Sequence, residues 1–302
     1  MTVLIAGCGD LGTEAGLRFA ALGHRVVGLR RSPGVLPAVI EGQAVDLSRE
    51  RPVIPVGTDI VIVAIAAAGA TADAYRSSYV DGLRNLLDAL DATDASPSRF
   101  LLVSSTAVYG VDDGSLVDET TPALPASATG AVLLEAEDLL RSRVPGAVVL
   151  RLSGIYGPGR ELLIRQVRDG TASVSGLARH TNRIHRDDAA AAIVHLMTMA
   201  GEPASLYLGV DSAPVPRGDV LGFLAAELGV PDPGAGASAS ATAADGGTPA
   251  ATVTAPGRAA GPRGGDKVCS NALLLASGFC FEYPGYREGY RAILAGTGIR
   301  HP

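Results

Sequence analysis

Apolar residues follow two rhythms along the chain. Val3 to Ala6 is a short unbroken apolar run, and Thr13 to Leu22 repeats apolar side chains at helical spacing. Between them stand Gly7, Cys8, Gly9, Asp10, Leu11 and Gly12, so the opening segment predicts strand, glycine turn and helix. Gly23 stops that helix, His24 to Leu29 predicts a second strand, and Asp59 to Ala66 predicts a later, fully buried one. A helix over Ala74 to Leu90, a strand over Phe100 to Ser104, a helix over Ser127 to Arg141 and a strand over Ala147 to Leu152 continue the alternation. Strands and helices at these intervals predict an α/β fold of Rossmann type, a doubly wound parallel sheet covered on both faces.

The alternation loosens after Gly154. Helices are predicted over Glu161 to Arg168, Asp187 to Met199, Arg217 to Leu228 and Asn271 to Ala276, with an aromatic segment from Phe279 to Tyr290. The expected organisation is a nucleotide-binding domain over 1–154, interleaved with a smaller substrate-facing part over 155–302. Pro231 to Asp266 contains 30 Gly, Ala, Pro, Ser or Thr among 36 residues, and Val253 is its only large apolar side chain. Such a segment cannot bury enough surface to offset its ordering entropy and is expected to be a mobile insertion.

Composition narrows the classes. Of 302 residues, 47% are hydrophobic and 19% charged, which describes a globular chain with a sizeable core rather than a disordered one. Only 13 residues are aromatic (8 Tyr, 5 Phe), so the core is aliphatic, as parallel sheets require. A net charge of -6 gives no grip on a phosphate polymer, and nucleic acid is excluded as the expected partner. The longest apolar run, Ile60 to Ala70, is too short to span a bilayer, and the segment before Cys8 lacks the basic leader of a lipoprotein signal. Three cysteines, Cys8, Cys269 and Cys280, have no metal-ligand spacing and fit reduced thiols in a cytoplasmic protein without a metal site. Lys267 is the single lysine among 25 basic residues.

The glycine turn carries the first chemistry. Gly7 permits a tight turn, Gly9 lets backbone approach a pyrophosphate, and Gly12 lets helix and strand pack closely, while the helix N-terminus offers amide donors. The bland alternative is a glycine-rich turn without a ligand. About 20 residues further on, NAD-binding proteins place a carboxylate against the ribose 2′-hydroxyl. Arg30 and Arg31 stand there instead. Guanidinium groups suit a 2′-phosphate, so the expected cofactor is NADP rather than NAD, unless both arginines are merely solvated. Asp46 and Leu47 are expected to border the adenine ring.

These features, with Val61 to Ala68, Ser104-Ser105-Thr106-Ala107-Val108-Tyr109-Gly110, Val117-Asp118-Glu119, Arg151 to Gly159 and Ile184 to Asp188, resemble the extended short-chain dehydrogenase/reductase superfamily, also called the NAD-dependent epimerase/dehydratase family. The resemblance runs from Met1 to about Asp188 and returns near the C-terminus. It implies that Ala64, Ile65, Ala66 and Ser104 join Gly7, Cys8, Gly9, Asp10, Leu11 and Gly12 in holding the cofactor. It also implies that Ser105 hydrogen-bonds a reacting carbonyl, although a hydroxyl at a strand end can equally be a cap. The family's Tyr-x-x-x-Lys pair falls on Thr129 and Leu133, neither of which can exchange or steer a proton near neutral pH. The chain thus resembles an atypical branch, similar to bacterial NAD(P)-binding proteins whose reaction is unassigned.

Other proton carriers are Tyr156, in the expected substrate loop and the preferred candidate beside Ser105, then Tyr109 and His185. A structural anchor is the competing role for His185. Asp187 and Asp188 are expected to cap the helix that follows, Glu135 and Glu137 to be ordinary helix residues, and Asp112-Asp113 and Asp118-Glu119 to be solvated loop charges. The expectation is a cytoplasmic NADP-dependent oxidoreductase or epimerase-like enzyme acting on a small molecule, with no membrane partner and a homodimer as the open assembly state. Its rival is a silent NADP(H)-sensing protein.

Overall fold

The computed structural model describes residues 1–173, 175, 178–235 and 265–302. In chain order it forms β1 (Thr2–Ala6), α1 (Asp10–Ala21), β2 (Arg25–Arg30), β3 (Ile40–Ala44), β4 (Thr58–Val63), α2 (Ala72–Tyr75), α3 (Gly82–Asp91), β5 (Arg99–Ser105), β6 (Leu116–Val117), α4 (Ala128–Arg143), β7 (Val148–Leu152) and β8 (Gly154–Tyr156). Then follow α5 (Leu162–Arg168), β9 (His180–Thr181), β10 (Arg183–His185), α6 (Arg186–Thr198), β11 (Leu206–Gly209), β12 (Val215–Pro216), α7 (Arg217–Leu228), β13 (Val268–Cys269), α8 (Ala272–Ala276) and α9 (Tyr286–Leu294). A π-helical stretch, Arg76–Asp81, joins α2 to α3, so the helix expected from Ala74 is continuous but locally unwound.

Seven strands form one parallel sheet in the order β11-β7-β5-β4-β1-β2-β3, a doubly wound Rossmann-like arrangement. Alternation within the apolar runs decides which residue feeds which layer, because successive strand side chains point to opposite faces. Val3, Ile5, Ile60 and Ile62 pack with Leu11, Ala15 and Phe19 of α1 and with Ile193 and Leu196 of α6. Leu4, Ala6, Val61 and Val63 pack with Leu83, Leu86 and Leu87 of α3 and with Val132, Ala136 and Leu140 of α4.

Residues on both sides of position 154 build this sheet. β11 lies on β7 and α6 packs on α1, although both come late in the chain. A third cluster gathers Tyr156, Ile164 and Val167 with Val220, Leu221 and Leu224 of α7 and Tyr286, Tyr290 and Ile293 of α9. Most of the insertion expected at 231–266 lies outside the described residues. Its last residue, Asp266, donates its amide to Asp112 at 2.7 Å and accepts from the His180 amide at 2.9 Å. No described helix is long and apolar enough to cross a membrane.

Candidate functional site

At the carboxyl edge of the sheet the chain turns sharply after β1. Gly7 has φ +87°, and a Cβ there would meet Ala64 and Ile65 backbone atoms at 2.6–2.7 Å. The crossing chain at Ala64 leaves β4 at this point, which is why that strand ends at Val63 rather than Ala66 as the apolar run suggested. Gly12 is equally constrained, with its Cβ position 2.7 Å from the Gly7 carbonyl oxygen. Gly9 differs: nothing lies within 4 Å of its Cβ position, and its amide region opens a cleft at the N-terminus of α1. A tight turn, a close helix–strand approach and an open face at the middle glycine are what a dinucleotide's pyrophosphate needs, so these residues fit an NAD(P) cofactor.

The cleft encloses about 1000 Å³ and runs from Gly9, Asp10 and Leu11 past Ala64, Ile65 and Ala66 to Ser104, Ser105, Thr129 and Leu133. Seven of the expected cofactor residues therefore share one space with Thr129 and Leu133, the residues expected at the positions of the Tyr-x-x-x-Lys pair. Ser105 sits at the end of β5, where its hydroxyl oxygen accepts from the Ala107 amide at 3.2 Å, so capping and cleft exposure coincide in one side chain. Thr129 stands in the first turn of α4, with its hydroxyl 3.3 Å from that of Ser127, the residue that caps the helix.

The other seven do not line this space: Gly7, Cys8 and Gly12 within the turn, and Arg30, Arg31, Asp46 and Leu47 beyond it. Arg30 instead donates to the Cys8 carbonyl at 3.2 Å and to the Pro302 backbone oxygen at 2.9 Å. Cys8 is buried beneath the turn. Tyr156, expected to carry chemistry, is also absent from the cleft wall. Its ring is buried against Tyr290, its hydroxyl donates to the Gly285 carbonyl at 3.3 Å, and burial pushes its pKa far up. The sequence placed it in a substrate loop; it instead ends strand β8, which pairs with β10, and its ring packs on Tyr290 of α9.

His185 and Asp188 are likewise structural. His185 Nδ1 accepts from the Asp187 amide at 3.3 Å and so caps α6, the role expected of Asp187 and Asp188. Burial draws the His185 pKa down to about 4, against the pull of Asp187, so the ring is neutral at neutral pH. Asp188 instead clamps the Phe279–Tyr290 segment, accepting from the amides of Glu282 at 2.8 Å and Tyr283 at 3.0 Å.

Sequence reasoning missed the floor beneath the reaction end. Glu137, expected to be an ordinary helix residue, is fully buried. It accepts from Arg151 Nε at 3.0 Å, Arg151 Nη2 at 2.6 Å and the Ser104 hydroxyl at 2.6 Å. Arg151 Nη1 also donates to the Tyr109 hydroxyl at 2.6 Å, which donates in turn to the Asp118 carbonyl. The network ties α4, β5 and β7 together directly under Ser105. A glutamate on the sheet-facing side of α4 opposite an arginine within an apolar strand was the available signal. Glu119 is not simply solvated either: it is half-buried and accepts from the Leu208 amide at 2.8 Å.

Two tyrosine hydroxyls in the cleft wall are poor proton carriers. Desolvation pushes Tyr79 up to about 12, and Tyr109 is raised by burial despite the neighbouring Arg151. Lys267 is buried, donates to the Tyr109 carbonyl at 2.9 Å, and has its pKa lowered by desolvation. Its side chain lies behind Tyr109 rather than in the cleft wall. Arg160, which the sequence did not single out, does line the cleft and donates to Asp10 at 2.8 Å. Burial alone would raise the Asp10 pKa, but Arg160, the His301 amide and Arg186 outweigh it and hold the carboxyl below the usual range. No cluster of three His, Cys, Asp or Glu able to hold a metal occurs among the described residues.

A family model for the NAD-dependent epimerase/dehydratase family matches residues 3–209. Protein YeeZ of Escherichia coli K12 is 32% identical over 212 residues, covering 65% of this chain and 72% of its own length. A solved structure from Methylobacillus flagellatus, provisionally described as an NAD-dependent epimerase/dehydratase, superposes with a TM-score of 0.75 at 37% identity over 98% of each chain. The UDP-glucuronic acid 4-epimerase of Bacillus cereus, solved with UDP-glucuronic acid and NAD, gives a TM-score of 0.74 over 97% of each chain, but at 16% identity that likeness is one of fold.

Proposed function

The chain belongs to the NAD-dependent epimerase/dehydratase family, and from that premise we propose that it is an NADP-dependent oxidoreductase or epimerase-like enzyme working without the Tyr-x-x-x-Lys pair. The observation that carries this reading is the continuity of one cleft from Gly9 to Ser105 and on to Arg179 and Gly265, which leaves room for a small molecule beyond a dinucleotide. NADP, when bound, would supply or accept hydride. The amides at the α1 N-terminus and Arg160 would hold its pyrophosphate, Arg30 and Arg31 would meet the 2′-phosphate, and Ala64 to Ala66 with Ser104 would line the path toward the nicotinamide end. Ser105 would donate a hydrogen bond to a carbonyl oxygen placed beside Thr129. The Glu137–Arg151–Ser104 network would keep that end of β5 in place. A small-molecule partner, a homodimeric assembly and a cytoplasmic location belong to the same proposal.

The raised pKa values of Tyr79 and Tyr109, with Tyr156 turned away, favour a second reading: a protein that binds NADP(H) and responds to it without chemistry. Calorimetric titration with NADPH and NADH, followed by nicotinamide absorbance in the presence of carbonyl and nucleotide-sugar compounds, separates the two. Tighter binding of NADPH than of NADH, with oxidation lost in Ser105→Ala, supports the enzyme. Binding without turnover across the panel supports the sensor.

A further inference from the structure

One carboxylate stands in the cleft where an anion is expected to bind. Asp10, the first residue of α1, lines the cleft beside Gly9; burial would raise its pKa, but its partners hold it ionised at neutral pH. Its Oδ1 accepts from Arg186 Nη1 at 2.7 Å and from the His301 amide at 3.1 Å. The Arg186 side chain is 1% exposed, so this side of the carboxylate is fixed from within the fold. Oδ2 accepts from Arg160 Nε at 2.8 Å. Arg160 stands in the turn between β8 and α5, directly after Gly159 with φ +69°, and its side chain is 37% exposed. Among the described residues only Nε of that guanidinium has a hydrogen-bond partner, which leaves Nη1 and Nη2 unpaired on a side chain that lines the cleft.

We propose that Asp10 is a positioning residue for the cofactor's pyrophosphate, holding Arg160 by Nε so that its two Nη groups are presented to the phosphates. The inference rests on the cofactor-binding reading above but not on the NADP preference, since NADPH and NADH carry the same pyrophosphate. A guanidinium gripped at Nε keeps its outer pair of donors, a planar fork that can meet phosphate oxygens in parallel bonds. An unrestrained arginine loses rotamer freedom on binding, a cost that Asp10 removes in advance. The chain of contacts Arg186–Asp10–Arg160 also joins α6, α1 and the β8–α5 turn, so residues on both sides of position 154 serve one phosphate site. Charge alone predicts the opposite effect. A carboxylate beside a pyrophosphate repels it, and neutralising Asp10 would then tighten binding. The two accounts differ in sign.

The test is a double-mutant cycle on Asp10→Asn and Arg160→Ala, with dissociation constants for NADPH and NADH measured by calorimetry. Asparagine keeps an acceptor for the His301 amide. Arg160→Ala is expected to weaken both cofactors about tenfold, and Asp10→Asn to weaken both about threefold to fivefold. With Arg160 already removed, Asp10→Asn is expected to tighten binding or to move it by less than about 1.5-fold, because no guanidinium is left to position. A merely structural Asp10 would weaken binding by the same factor in both backgrounds, and that result overturns the inference. So does an Asp10→Asn protein, otherwise unmodified, that binds as tightly as the original or more tightly. Should Asp10→Asn fold poorly, Arg160→Lys carries the test. Lysine keeps the charge but cannot hold Asp10 and offer a fork at once, so affinity near that of Arg160→Ala is expected and full affinity overturns the inference. Binding of neither cofactor by the unmodified protein would instead remove the cofactor reading, and this inference with it.

Discussion

The two ends of the cleft are built from different materials. At the glycine-turn end the constraint resides in backbone: Gly7 cannot carry a Cβ without striking Ala64, Gly12 cannot without striking Gly7, and Gly9 opens to the cleft. At the other end the cleft is shaped by side chains, among them Ser105, Thr129 and Leu133. Thr129 and Leu133 stand in the cleft wall where the family resemblance calls for tyrosine and lysine, yet α4 keeps its length, its Ser127 cap and its buried Glu137. The comparison teaches that the turn is tied to the architecture through backbone contacts, whereas the side chains at the other end of the cleft are not fixed by it in the same way.

The largest expected effect attacks the floor of the reaction end. Glu137→Ala leaves Arg151 charged and buried without its carboxylate, which costs about 3–5 kcal/mol, and chemical denaturation should show it. A loss below about 1 kcal/mol would mean that Tyr109 and water satisfy Arg151 and that the floor is not held by this pair. The next effect falls on the other end. Gly7→Ala combines a positive φ with backbone contacts at 2.6–2.7 Å, and should lower stability by about 2–3 kcal/mol while weakening NADPH binding at least about tenfold. Retained affinity in a folded Gly7→Ala protein would detach cofactor binding from this turn.

A third test uses pH. Burial pushes the Asp211 carboxyl up to about 7, with Arg183 opposing and Asp188 and Glu288 adding to the shift. The folded protein then keeps a proton between about pH 4 and 7 that the unfolded chain has released, so this group's contribution falls as pH rises through that window. Burial lowers the His185 pKa to about 4, which makes the folded state lose stability in the opposite direction, as pH falls below about 6.5. Asp211→Asn isolates the first contribution. The melting temperature of the variant relative to the original protein should rise from pH 5 to pH 8, by the equivalent of about 2 kcal/mol. A flat difference would show Asp211 ionised throughout.

The smallest effect sharpens the contrast most. Thr129→Val removes a half-exposed hydroxyl whose neighbour is Ser127, and should change stability by about 0.5 kcal/mol or less and NADPH affinity by less than about twofold. A large loss of affinity would make Thr129 a cofactor ligand and join the two ends into one functional unit.

Strand alternation and the glycine spacing, both properties of neighbouring residues, determined the doubly wound sheet, the turn that follows β1 and the helix ends to within a few positions. The α7 limits, Arg217 and Leu228, match the sequence expectation at both ends, because a polar start and Gly229 in a left-handed conformation mark them locally. Position across the fold was not legible in this way. Tyr156 reads as a loop hydroxyl until the β8–β10 pairing turns it against Tyr290, and Glu137 reads as an ordinary helix residue until Arg151 arrives from β7. Arg30 reads as a free guanidinium until Pro302 reaches it from 272 positions away. Periodicity and turn chemistry act over a few residues and are written in order along the chain. Burial, orphaned charge and the partner a donor finds depend on which distant segments meet, and only the tertiary structure decides that.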